Sequence, residues 1–348
     1  MKLKDFSYRL PEELIAQHPR PQRDASRMMK LNPRKKTIED SRFSLLPECL
    51  EHGDVLVVND SRVIPARLYG KKSTGAILEI LLLTCKEKKD GSEWWEVLAR
   101  PGKRLSENDT IDLGHACEAK IIARVSDKKW LMRFCAADGF ENYLARFGRA
   151  PLPPYIKRKK SIAPDNTDDR ERYQTIYAKS AGSIAAPTAG LHFSADVLAA
   201  LQAKGVQIAP ITLHVGIGTF LPIEAETVED HIMQTEFFEI SSETANKINN
   251  ARRVIAVGTT STRTLESVVD QNRTIAPQSG ETCLYIYPGY SFKIVNGLLT
   301  NFHLPQSSLF LLVCAFAGTD FIKEAYARAV DQRYLFYSYG DCMLILQD

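Results

Sequence analysis

The sequence predicts an α/β fold: a main α/β domain interrupted by a small antiparallel β-barrel domain. Three observations carry that prediction. The apolar run Val55–Val58 ends in Asn59 and Asp60, the pattern of a fully buried strand that opens onto a site. From Leu68 to about Cys135, short strand-like runs follow one another with glycine, Asn and Asp punctuation. From Tyr173 onward, strand-like runs alternate with helix-like ones. The boundaries follow. Residues 1–67 with 151–348 are expected to form a discontinuous α/β domain, and 68–150 the inserted barrel.

Along the chain, Leu10–Ala16 reads as a short helix with Pro11 and two acids at its start. Arg20, Arg23 and Arg27 come next. A solvated loop accounts for them, and so does a guanidinium grip on phosphate or carboxylate. Asp54–Asp60 is the buried strand. Inside the insertion, Ile77–Leu83, Trp94–Ala99, Thr110–Leu113, Ala119–Val125 and Trp130–Phe134 read as strands, and Asp138–Phe147 as a closing helix. Pro151-Leu152-Pro153-Pro154 is a stiff, extended connection. Lys157, Arg158, Lys159 and Lys160 follow it, four cations in a row that suit a sequence-independent hold on a phosphate backbone. Val206–His214, Val254–Thr259, Cys283–Tyr287, Leu298–His303 and Met343–Leu346 read as strands. Ala195–Lys204, Glu243–Ala251, Thr262–Val269, Ser308–Ala317 and Asp320–Val330 read as helices.

Bulk properties narrow the class. A chain of 348 residues buries a large core. A net charge of +3 does not by itself announce a nucleic-acid binder, because clustering matters more than the sum. The seven cysteines form no CxxC pair, which argues against zinc-knuckle and thioredoxin chemistry and fits reduced thiols in a cytoplasmic protein. The start of the chain lacks the apolar run of a signal peptide. The longest apolar run, Leu309–Ala317, is far below the ~20 residues that span a bilayer, so no membrane partner is expected.

Chemistry-bearing residues gather where strands end. Ala185–Phe193 holds Thr188, Gly190, His192 and Phe193; Leu213–Phe220 holds His214, Gly216, Gly218 and Thr219. Small residues beside a histidine let a backbone approach a ligand. Val257–Glu266 passes from an apolar strand through Thr259, Thr260 and Ser261 into a helix with Arg263 and Glu266, and free amides at such a start bind anions. The P-loop spacing and its lysine are absent. Asp230 and His231 lie in a mixed acidic stretch. Asn301, Phe302 and His303 end a strand, and Asp341 precedes the last one. No HExxH or HxH occurs, and no metal is assigned. Histidines at several strand ends of one domain point to a shared cleft.

Taken together, Ala185–Phe193, Leu213–Phe220, Asp230–Glu236, Val257–Glu266, Asn301–Ser308 and Tyr334–Leu346 resemble the S-adenosylmethionine:tRNA ribosyltransferase-isomerase family of queuosine biosynthesis. Weaker matches lie at Arg23–Arg27, Asn59–Arg67 and Pro151–Tyr155, so the resemblance spans nearly the whole chain in order. Two departures show: Gln234 where relatives commonly carry a second histidine, and Cys342 where they commonly carry alanine.

The resemblance implies an α/β domain with a β-barrel insertion. It also implies transfer and isomerisation of the ribosyl group of S-adenosylmethionine onto 7-aminomethyl-7-deazaguanine at the wobble position of tRNA. The products are epoxyqueuosine-tRNA, adenine and methionine. S-adenosylmethionine is then a consumed substrate, no cofactor is needed, and the partner is a tRNA with a GUN-type anticodon; the chain is read as a monomer. The sulfonium acidifies the C5′–H, so a general base is wanted, with His192 or His214 first and His303, Asp230 and His231 next. Thr259, Thr260, Ser261 and Arg263 are expected on ribose hydroxyls or the methionine carboxylate. Glu266 or Asp60 is expected as acid or as partner of the sulfonium, and Phe193, Phe302 and Tyr339 as stacking faces. Arg20, Arg23, Arg27 and Lys157–Lys160 are the expected tRNA contacts. A non-catalytic RNA-binding adaptor, a metal-dependent hydrolase and a methyltransferase are the rival readings.

Overall fold

In a computed structural model of the chain, residues 1–102, 105–158, 168–220 and 223–347 are described, with backbone alone at Thr219 and Phe220. The described chain divides into two compact units. One comprises Met1–Arg62, Pro154–Ile156 and Gln174–Asp348; the other comprises Val63–Pro153 and Lys157–Tyr173.

The elements run β1 (Arg27–Asn32), β2 (Thr37–Arg42), α1 (Leu46–Cys49), β3 (Asp54–Asn59) and β4 (Ser61–Val63). Next come β5 (Arg67–Lys72), β6 (Ile77–Lys89), β7 (Ser92–Arg100), β8 (Thr110–Gly114), β9 (Cys117–Arg124), β10 (Lys129–Ala136), α2 (Phe140–Phe147) and α3 (Asp168–Arg172). The chain continues through β11 (Ser180–Ser183), α4 (Ala195–Ala203), β12 (Gln207–Leu213), β13 (Glu236–Ile240), α5 (Ser242–Asn249), β14 (Arg253–Val257) and α6 (Gly258–Val268). It ends with β15 (Gln278–Thr282), β16 (Gly297–Asn301), α7 (Ser308–Ala317), α8 (Thr319–Asp331) and β17 (Cys342–Leu346).

The first unit is built on a nine-stranded mixed sheet of order β15-β13-β12-β3-β14-β16-β17-β1-β2. Its centre is parallel: β12 on β3, β3 on β14, β14 on β16. Every residue of β3 and β16 is buried, as strands covered on both faces must be. Alternate side chains enter opposite layers. Val55, Val57, Ala256 and Leu298 join one core with Leu265, Phe310 and Phe321 of α6, α7 and α8. Leu56, Val58, Ile255 and Leu299 join another with Leu46 of α1 and Val197 and Leu201 of α4. A period-2 strand between two helical layers gives this division.

The second unit holds the closed antiparallel barrel β10-β7-β6-β5-β8-β9. Its interior is filled by Ile80, Leu82, Val97, Ile111, Ile121, Met132 and Phe134, with Phe140 and Tyr143 of α2 in the same core. Gly70 of β5 is needed there, because a Cβ would sit 2.5 Å from Ile111 and 2.7 Å from Leu113.

Several elements differ from the sequence reading. Cys283–Tyr287 is not a strand; the edge strand is Gln278–Thr282. The Leu284 carbonyl is taken by the Arg263 side chain (2.8 Å), not by a ladder. α6 starts at Gly258, four residues before the expected Thr262. Gly258, at φ +87, turns the chain straight out of β14, and the Ser261, Thr262 and Thr264 hydroxyls bond back to the carbonyls four residues earlier. Leu10–Ala16 shortens to a single 3-10 turn, Glu12–Leu14. β1, β2, β4, β5, β11 and β13 were not expected, nor were the short helices α1 and α3. No helix among the described residues is long and apolar enough to cross a membrane.

Candidate active site

Four parallel strands end on one edge of the sheet, at Leu213, Asn59, Val257 and Asn301. The segments that follow them carry His214, Asp60, Thr259–Arg263 and His303 respectively. Parallel topology alone therefore collects the chemistry-bearing loops, as ligand sites of α/β sheets require.

A cleft of about 220 Å³ opens at the β16 end of this edge, lined by Tyr155, Thr188, Asn301, His303, Gln306 and Tyr337 among others. His303 is buried; its Nε2 meets the Thr300 hydroxyl at 2.9 Å, and burial pushes the imidazole down to about 3. His192 is buried behind Asn301. Its Nε2 lies 3.1 Å from Asn301 Nδ2 and its Nδ1 2.9 Å from Ser26 Oγ. Burial, aided by the Arg20 and Arg23 charges, pushes His192 down to about 4, against the opposing Asn301 bond. Both imidazoles are thus neutral at physiological pH.

Two further clusters adjoin the same strand ends. Asp60 accepts a 2.7 Å bond from Thr212, and desolvation raises its carboxyl above the usual range. His214 is half-buried, its pKa lowered by desolvation and supported in the other direction by the Asp60 and Glu239 charges; its Nδ1 has no partner among the described residues. Glu236 forms a buried ion pair with Arg263 (2.6 Å) and accepts the Gly216 amide (2.9 Å). Thr260 Oγ1 and Arg263 Nη2 are buried without partners among the described residues, beside the uncapped start of α6.

The remaining expected residues separate. Phe193 and Phe302 are fully buried against Phe43 and Tyr177, and against Tyr326, Tyr334 and Phe336. They are core, and neither offers a face to a base. The Ser261 hydroxyl is spent on Val257. Glu266 is filled by the amides of Lys293, Ile294 and Val295 and holds that loop. Asp341, wholly buried, accepts from Arg20 and from the Arg27 and Leu335 amides. Asp230 is exposed and bonds Thr227, while His231 stands edge-on to Tyr285 with its pKa lowered by desolvation; neither lines the cleft.

Gly190 is required by crowding, since a Cβ would run into the Tyr177 hydroxyl and lie 2.7 Å from Thr175. Gly218 faces Gln234 closely, at 3.0 Å from a Cβ position. Arg23 donates to the Leu191 carbonyl, and Arg27 to the Gln332 carbonyl, with its guanidinium 3.6 Å above the Tyr334 ring. Arg20 and Arg27 line a second cleft with Arg42 and Asp40. Arg158 grips Asp169 with two bonds, at 2.7 and 3.0 Å. Lys159, Lys160 and the Thr219 side chain lie outside the described residues. Among the described residues, no group of three or more His, Cys, Asp or Glu is placed to hold a metal ion.

Sequence reasoning missed Ser26, Tyr155, Glu236 and Tyr337. Ser26 and Tyr337 act through the fold, one behind His192 and the other around Asn301, and carry no local signal. Tyr155 closes a proline-rich segment whose destination only the fold reveals.

Residues 3–345 match the family described as queuosine biosynthesis protein. The S-adenosylmethionine:tRNA ribosyltransferase-isomerase of Syntrophus aciditrophicus is 54% identical over 362 residues, covering 99% of this chain and all of that protein. The protein of the same name from Desulfitobacterium hafniense is 50% identical over 352 residues, with 99% and 100% covered. A crystal structure of S-adenosylmethionine tRNA ribosyltransferase from Thermotoga maritima is 38% identical, superposes with a TM-score of 0.55, and covers 98% of this chain and 100% of that one.

Proposed function

The chain belongs to the queuosine biosynthesis protein family, and on that premise we propose that its chemistry takes place in the cleft lined by Thr188, Asn301 and His303. The protein is an S-adenosylmethionine:tRNA ribosyltransferase-isomerase. It moves the ribosyl group of S-adenosylmethionine onto 7-aminomethyl-7-deazaguanine in tRNA and isomerises it, giving epoxyqueuosine-tRNA, adenine and methionine. The observation that carries this is 54% identity extending over 99% of the chain. We read the target as the wobble nucleotide of a tRNA with a GUN-type anticodon. The cleft is built within one chain, so the reading takes a monomer as the acting unit. The direct test incubates the protein with S-adenosylmethionine and a modified anticodon stem-loop. Adenine and methionine released in step with a ribosyl-derived mass gain on the RNA support the reading; intact reactants with folded protein overturn it.

Among the histidines, His303 is the one that lines the cleft. It is neutral, its Nε2 already rests on the Thr300 hydroxyl at 2.9 Å, and the burial that keeps it neutral also makes it a weak base, so its candidacy for the C5′–H beside sulfonium rests on its place in the cleft wall. His192 is differently placed. Its Nε2 lone pair is engaged by Asn301 and its Nδ1 by Ser26, so we assign it a positioning role. His303→Ala is expected to lower turnover by about 10²–10⁴-fold with S-adenosylmethionine binding retained by calorimetry. Turnover within a few-fold of wild type would move the base to His214, whose protonated form the Asp60 charge favours.

The Thr260 hydroxyl and Arg263 Nη2 at the start of α6, without partners among the described residues, support a role in holding the carboxylate or hydroxyls of S-adenosylmethionine. For tRNA, the cationic run is read as the main source of phosphate contacts, since Asp341 already holds Arg20 and Gln332 and Asp40 hold Arg27. Neutralising Lys157, Lys159 and Lys160 together is expected to weaken stem-loop binding and flatten its dependence on log salt by about two to three units. Arg158 contributes less, because Asp169 already holds it. An unchanged slope would remove the run from the interface.

A further inference from the structure

Asn301 ends β16, is 1% exposed and lines the cleft. Its amide nitrogen is fully spent, donating to the Tyr337 carbonyl at 2.9 Å and to His192 Nε2 at 3.1 Å. The carbonyl partner fixes the amide's orientation, because only the nitrogen can face it. His192 must then carry its proton on Nδ1, where Ser26 Oγ accepts it at 2.9 Å. Ser26, His192 and Tyr337 thus lock the amide. What remains is Asn301 Oδ1, buried without a partner among the described residues. Buried acceptors are seldom left open in this way, and the open one belongs to a residue of the cleft wall.

A second open group belongs to the same cleft wall. The Tyr337 hydroxyl is also buried without a partner among the described residues, and Tyr337 lines the same cleft. Its backbone sits at φ 70, a conformation rare for bulky residues. Its ring stacks on Tyr155 at 4.3 Å and 25°. The Tyr155 hydroxyl is tied to Ser338 at 2.7 Å, which holds this aromatic wall in place. At about 220 Å³ the cleft is smaller than the roughly 300–1,000 Å³ of sites that take a whole drug-sized ligand, so it suits one flat ring system.

We infer that Asn301 Oδ1 is the specificity-determining acceptor for the amino group of a purine-like heterocycle seated in this cleft beside the Tyr155–Tyr337 pair. The inference rests on the reaction assigned above, in which two heterocycles share this chemistry: the adenine of S-adenosylmethionine and the deazaguanine of the RNA. A neutral amide oxygen accepts an N–H and repels an oxo group. It therefore discriminates amino from oxo rings more sharply than an apolar pocket does. His192 acts through Asn301 and touches no substrate.

The test pairs ligand changes with protein changes. Wild type and Asn301→Ser are compared for kcat/KM on S-adenosylmethionine and on its analogue with the adenine amino group replaced by hydrogen. A parallel arm uses stem-loops with and without the 2-amino group on the target base. Removal of the relevant amino group is expected to cost wild type about 10–100-fold and Asn301→Ser almost nothing. The arm that shows this identifies the heterocycle. His192→Ala is expected to lose the discrimination and His192→Gln, which offers an acceptor to the amide, to regain it. If Asn301→Ser does not fold, the wild-type arms and the His192 pair decide alone. Wild type that discriminates in neither arm overturns the inference. Wild type inactive on the unaltered substrates instead overturns the assigned reaction.

Discussion

Glu236→Ala is expected to destabilise the α/β unit by about 3–5 kcal/mol. The carboxylate and its partner Arg263 are 5% and 6% exposed, and the bond between them is 2.6 Å. Glu236 also receives the Gly216 amide, while Arg263 Nε is held by the Leu284 carbonyl. Removing the carboxylate leaves a buried guanidinium with one backbone partner among the described residues, and with an Nη2 that has none there already. Desolvation of that stranded charge is the dominant cost, well above the ~1 kcal/mol of an ordinary hydrogen bond. The double variant Glu236→Leu with Arg263→Met is therefore expected to recover much of the loss, since it strands no charge. Urea unfolding followed by far-UV circular dichroism measures both. Tryptophan fluorescence does not serve, because Trp94, Trp95 and Trp130 all lie in barrel strands. A single variant within 1 kcal/mol of wild type would mean that water reaches the guanidinium and that the pair is not a buried one.

That ion pair also shows where sequence reading stops. The apolar runs of β3, β14, β16 and β17 were legible, because a strand buried on both faces must be apolar along its middle. The barrel was legible from alternation and turn residues. Cys283–Tyr287 misled for the converse reason: its apolar residues pack on the core while its backbone is claimed by a side chain, which no local pattern records. At the site, Asn301 and His303 were found because they stand at a strand end. Phe193, Phe302 and Glu266 are equally suggestive in type yet face the interior, and one-dimensional spacing does not tell a stacking face from a core ring. Tyr337 shows the limit most sharply: its carbonyl fixes Asn301, and a carbonyl has no residue signature.

Acid is expected to undo the fold's hold on its histidines. Burial depresses the folded-state values of His192 to about 4 and His303 to about 3, whereas an unfolded imidazole titrates near 6.5. Above about pH 6.5 neither state takes up a proton and the stability is fully present. As pH falls from there, the unfolded chain binds protons that the folded chain refuses, so stability falls towards about pH 4 for His192 and about pH 3 for His303. At about 1.4 kcal/mol per pH unit, His192 alone accounts for a loss of order 3 kcal/mol. Asp60 works the other way: its raised carboxyl binds its proton more readily when folded and offsets part of the slope. Unfolding free energy measured from pH 4.5 to 7.5 is expected to rise with pH, and His192→Gln to remove about one proton's worth of that slope. An unaltered slope would mean that His192 already charges in the folded protein, and its bond from Asn301 would then have to be broken, because an imidazolium has no lone pair to offer. The same reasoning bears on the reaction. A histidine that the fold keeps neutral down to about pH 4 is not suited to be the acid that protonates departing adenine, whereas the desolvation that raises the Asp60 carboxyl works in the direction such an acid needs.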